Sequence, residues 1–71
     1  MGKSVDQIIA MFAKADPNLE VMEDAVVNMT KIPRPFVGMA VKKTVKRARE
    51  EGVTVLDKAF ADQVKRENWG G

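Results

Sequence analysis

Neither cysteine nor histidine occurs among the 71 residues. The first absence excludes a disulfide staple and a thiolate metal site. The second removes the commonest metal ligand and the commonest general base at neutral pH. Carboxylates, lysines and hydroxyls are left to carry any chemistry, and they do not converge. Glu23 and Asp24 are adjacent in sequence, so on a helix their carboxylates diverge by ~100° and favour the helix dipole rather than a shared ligand. Glu50 and Glu51 are adjacent too, and read best as i,i+4 partners of Lys46 and Arg47. There is no phosphate loop, glycine-rich dinucleotide turn, calcium loop or nucleophile elbow. No catalytic, cofactor-binding or metal-ligating residue is therefore expected, and the chain reads as a non-enzyme. No apolar run approaches the ~18 residues of a membrane span, and no signal-peptide core opens the chain. The expectation is a cytoplasmic protein with no membrane partner.

Aromatics are also few: Phe12, Phe36, Phe60 and Trp69. Single-strand nucleic-acid binders interleave aromatics with cations so that bases can stack, and here the phenylalanines fall at positions expected in the core. A chain this short buries only ~60% of the surface it exposes when unfolded, which suits one small domain.

Charge is unevenly placed. Residues 1–30 carry two basic and five acidic side chains, residues 31–49 seven basic and none acidic, and residues 50–71 three basic and five acidic. The central block is Lys31, Arg34, Lys42, Lys43, Lys46, Arg47 and Arg49. Such a block either solvates a helix face or meets an acidic protein or nucleic acid.

Start and stop signals place helices over residues 4–14, 20–31, 36–51 and 56–67, with no strand anywhere. Ser4 caps the first with Gln7 in a capping box, and Val5, Ile8, Ile9 and Phe12 form its apolar stripe. Asp16-Pro17-Asn18 ends it. The second begins with Glu20, Glu23 and Asp24 at the positive end of its dipole, although Val26 and Val27 fall outside its apolar stripe. Pro33-Arg34-Pro35 breaks the chain, as a rigid corner with Ile32 and Phe36 buried on either side, or as a mount that presents Arg34 to a partner's acid or phosphate. On the third helix Val37, Ala40, Val41, Thr44, Val45 and Ala48 fill one half of the wheel, with Gly52 as its stop. Lys42, Lys46 and Arg49 lie opposite, with Met39 among them. Thr54 caps the fourth helix, or Asp57 caps a slightly shorter one; Leu56, Phe60 and Val64 recur at i+4, and Lys58–Asp62 and Asp62–Arg66 are candidate i,i+4 pairs. Met1 to Lys3 and Gly70-Gly71 look loose. The reading is an all-α chain, a small three- to four-helix bundle in one domain over residues 1–71, packed around Ile8, Phe12, Met29, Ile32, Val41, Val45, Leu56 and Phe60.

The run Ala25, Met29, Ile32-Pro33 and Phe36-Val37, then Val41-Lys42-Lys43, Ala48-Arg49-Glu50-Glu51-Gly52, Val55 and Phe60 resembles a known domain. It is the small helical domain that ends the B subunit of light-independent (dark-operative) protochlorophyllide reductase, which also occurs free-standing. The resemblance spans about residues 21–67 and leaves the helix over 4–14 as an addition. Gly38 stands where the family has an arginine, Val21 or a near neighbour where it often has a tryptophan, and Leu56 where a capping threonine is usual. The resemblance implies an accessory domain associated with a redox or tetrapyrrole enzyme, whose iron–sulfur ligands and catalytic machinery lie in other parts of the complex.

The function expected from all this is a protein-interaction module that docks onto a larger protein, such as a reductase component. The alternative is a small nucleic-acid-binding protein using the basic face of the third helix. The candidate partner-binding residues are Arg34, Met39, Lys42, Lys46, Arg49 and Trp69, the last either folded over a core edge or standing as an exposed anchor. Val41→Asp should unfold the domain, because an unpaired buried carboxylate costs several kcal/mol, comparable with the whole stability of so small a fold. Circular dichroism melting checks this; a variant that melts like the parent would show that the core face of the third helix is misassigned.

Overall fold

The computed structural model describes residues 2–69, the side chains of residues 68 and 69 excepted. It is a mostly helical bundle of four α-helices, α1 (Val5–Ala15), α2 (Glu23–Val27), α3 (Arg34–Glu51) and α4 (Lys58–Trp69), with a 3₁₀ turn over Asn28–Lys31. Two short strands, β1 (Glu20–Val21) and β2 (Val55–Leu56), pair in parallel.

α1 forms as its caps dictate. The Gln7 amide donates to Ser4 Oγ at 3.3 Å and the Ser4 amide to Gln7 Oε1 at 3.0 Å, so two free donors of the first turn are satisfied reciprocally. Ile8 and Phe12 are fully buried, while Val5 and Ile9 pack at the core's margin. At the other end the Asp16 amide returns to Phe12 O at 2.8 Å, and the Asp16 carboxylate accepts from the Asn18 amide at 3.1 Å, which sets the turn. Lys3 is partly buried rather than loose. Gly2 lies so close to the Thr30 and Ile32 carbonyls that a Cβ there would collide with both. Residues 1, 70 and 71, the rest of the expected loose ends, lie outside the described residues.

The strand pair corrects the strand-free expectation. Residues 20–21 are extended, and the Glu20 and Met22 amides donate across to Thr54 O and Leu56 O, each at 2.9 Å. Leu19 and Leu56 are core residues whose burial brings the two segments side by side, and the adjoining backbone groups pair across. The second helix is accordingly shorter than the expected 20–31. It starts at Glu23 and passes into the 3₁₀ turn after Val27, where Thr30 Oγ1 donates to Val27 O at 2.7 Å. Val26 is fully buried and Val27 half exposed.

α3 carries the core. All six residues of its predicted inner face, Val37, Ala40, Val41, Thr44, Val45 and Ala48, are buried. The Thr44 hydroxyl donates to Ala40 O at 2.8 Å, so its burial leaves no orphan group. The helix ends at Gly52, whose φ of 70° lies in the left-handed region that glycine adopts without cost. The Val53 amide reaches Ala48 O at 2.8 Å and the Gly52 amide Arg49 O at 3.3 Å, the paired closure of a Schellman cap. α1 packs against α3 and α2 against α4. Phe60 and Ile32, expected in the core, are only partly buried against it, whereas Val64 is buried.

α4 starts at Lys58 with Asp57 as its cap, Oδ1 accepting from the Phe60 amide at 2.9 Å. Thr54 instead spends its carbonyl on β1. Asp57→Ala should therefore lower stability by about 1 kcal/mol, while Thr54→Ala should leave it nearly unchanged. Urea titration of the two variants decides between the alternative caps, and a larger loss for Thr54→Ala would contradict this geometry.

Candidate functional site

The turn Ile32-Pro33-Arg34-Pro35-Phe36 sets up the most conspicuous surface feature. α3 begins at Arg34, two residues before the expected start, with Pro35 inside its first turn, where a missing amide costs nothing. Phe36 is therefore already on the helix and one residue off the core-facing row that starts with Val37. It is 50% exposed, which corrects the expectation that it is buried beside Ile32. Met39 follows one turn later on the same side and is 44% exposed.

These two side chains edge a groove of about 650 Å³. Met29, Ile32 and Pro33 line it from the 3₁₀ turn and the corner, and Ala61 and Lys65 from α4. Its floor is the buried surface of Ala40, Thr44 and Val64. Charged groups also line it, Lys31 from the 3₁₀ turn and Asp62 and Lys65 from α4. Among the described residues neither lysine forms an ion pair.

One end of the groove is held by an arginine. Three residues beyond Thr44 on α3 and Val64 on α4, Arg47 grips Glu67 with two parallel bonds, Nε to Oε1 at 2.8 Å and Nη2 to Oε2 at 2.9 Å. Arg47 also pairs with Glu51 at 2.9 Å and with Glu50 at 3.8 Å. Bidentate geometry makes this a well-formed ion pair, and it ties together the two helices that wall the groove. The hydrogen bonds from Arg47 hold the Glu67 carboxyl below its ordinary value against some opposing desolvation.

The candidate residues divide between two places. Lys42, Lys46 and Arg49 do come together, around a shallower depression of about 510 Å³ that Ala15, Val45 and Glu50 complete. Arg49, however, is spent within the fold: it pairs with Asp16 at 3.3 Å and donates to Ala15 O at 3.5 Å, at the carbonyl end of α1. Met39 lines the apolar groove rather than this depression. Arg34 is exposed at the start of α3 and lines neither. The Trp69 side chain lies outside the described residues. Phe36, Lys31 and Lys65 were not among the candidates. The signal for Phe36 was present in the Pro33-Arg34-Pro35 spacing, since an early proline starts a helix rather than only breaking one.

Among the described residues no group of three or more acidic side chains is close enough to hold a metal ion, and no helix is long and apolar enough to cross a membrane. No protein-family model matches the chain, and no curated protein or solved structure is significantly similar to it.

The Arg47–Glu67 pair gives a pH prediction. A carboxyl whose value is lowered by folding contributes stability that is present above its unfolded value, about 4.3, and is lost as pH falls through the folded value. The melting temperature of the parent should exceed that of Glu67→Gln at about pH 6, and the gap should narrow progressively as the pH falls below about 4.3. A gap that widens in acid would contradict the assignment.

Proposed function

We propose that the chain is a non-catalytic interaction module that docks onto a larger protein through the apolar groove beside Phe36 and Met39. The observation that carries this reading is the half-exposure of two large apolar side chains above a core that is already complete without them. Isolated exposed apolar residues are ordinary, but here Phe36 and Met39 join Ile32 and Pro33 around one concavity, and contiguous apolar patches mark interaction sites. Methionine suits such a surface because its unbranched chain adapts to the contour of a partner. The resemblance of Ile32-Pro33 and Ala48-Arg49-Glu50-Glu51-Gly52 to the reductase domain suggests a redox or tetrapyrrole enzyme as that larger protein, and the groove is opened by the first of these two motifs.

Nucleic-acid binding through α3 is the second reading, favoured by the exposed Lys42 and Lys46 around their depression. It is weakened because Arg47 and Arg49 are committed to Glu67, Glu51 and Asp16. Among the described residues no aromatic lines that depression to stack a base.

Capture experiments with immobilised protein separate the two. Phe36→Glu should leave the fold intact, with a stability change within about 1 kcal/mol for a half-exposed site, and abolish retention of the protein partner. Lys42→Glu with Lys46→Glu should retain it. The reverse pattern, with a steep salt dependence of the retained material and nucleic acid in the eluate, would favour the second reading and overturn the first.

A further inference from the structure

The chemistry of the groove narrows its occupant. Resting on the docking reading above, we infer that the groove takes an amphipathic α-helix of another protein, with large apolar side chains on successive turns and carboxylates flanking them. Both long walls are helical and repeat at one-turn spacing: Phe36 and Met39 on α3, Ala61 and Lys65 on α4. A helix laid between them presents its own anchors at the same ~5.4 Å interval. The volume of about 650 Å³ is that of a cleft filled by a few anchoring side chains.

Charge selects among helices. Lys31 from the 3₁₀ turn and Lys65 from α4 both line the groove and form no ion pair among the described residues, where Asp62 is the one acid of the lining. Acidic flanks on the docked helix neutralise both lysines, whereas basic flanks meet like charge. Like charge also disfavours a second copy of this chain, since an isologous contact brings the cationic lining against itself. Nor do the described residues offer a matching helix: their other exposed large apolar residues are Met22, Val27 and Val55, which lie at the strand pair and in the short α2. An extended peptide is disfavoured because the walls are helices whose backbone groups are already paired, leaving no row of donors and acceptors for an added strand.

Selection from two displayed peptide libraries against the full chain tests this. One library holds helices apolar at i, i+4 and i+7 with randomised flanks, and the other holds extended proline-rich peptides. Binders should come from the helical library, with aspartate and glutamate enriched at the flanks, and should be lost with Phe36→Glu. Exchanging those flanking acids for lysine should weaken binding by about tenfold or more. Binding of the lysine-flanked peptide should return with Lys31→Glu and Lys65→Glu together. Selection of basic or uncharged flanks, or of extended peptides, would overturn the acidic helix as occupant. So would failure of both libraries while partner capture remained dependent on Phe36, an outcome that leaves the docking reading standing. Binders indifferent to Phe36→Glu would overturn both.

Discussion

The inner face of α3 is the constraint on which the rest of the molecule depends. Six side chains of this one helix are buried, and three of them, Ala40, Thr44 and Ala48, are small enough to let neighbouring helices approach closely. A chain without cysteine has no covalent means of holding so small a core together. Closeness of packing must serve instead. Ile8 and Phe12 from α1, Val26 from α2 and Leu56 from β2 are fully buried and share one core cluster with that face.

The consequence is local insufficiency. α2 is five residues long and gives way to a 3₁₀ turn, so it cannot flank α3 along its length. The proline corner then starts α3 early and turns Phe36 and Met39 away from the core. The apolar groove is the space left between that early start and α4. Its far end is secured by Arg47, which binds Glu67 across the helices while also pairing along its own helix. The chain thus leaves an uncovered apolar surface between two ion-paired helices, and that pairing uses none of the residues that line the surface.

Much of this was legible in the sequence, for reasons that differ by element. The buried row of α3, the Ser4–Gln7 capping box and the Gly52 stop are local patterns within one helix, and each is found where its spacing put it. The strand pair was not legible. Two residues carry no period, and Glu20, which pairs opposite Val55, also suits the first turn of a helix. The ion pairs Arg47–Glu67 and Arg49–Asp16 span 20 and 33 residues, and composition cannot say which of seven clustered cations will find which acid. The expected cationic docking face was therefore only half visible: Lys42 and Lys46 remain at the surface, while two arginines of the same block are part of the scaffold.

The proposed docking surface is the Phe36–Met39 groove rather than the basic face of α3 or the strand-pair surface. Methionine oxidation footprinting tests it within the unmodified sequence, because Met22 and Met39 are equally exposed, at 44% each, and only Met39 lines the groove. Limited peroxide treatment of the free protein should oxidise both readily and Met29, 8% exposed, slowly. In complex with the captured partner, Met39 should become protected while Met22 stays reactive. Protection of Met22 with Met39 unchanged would contradict the account.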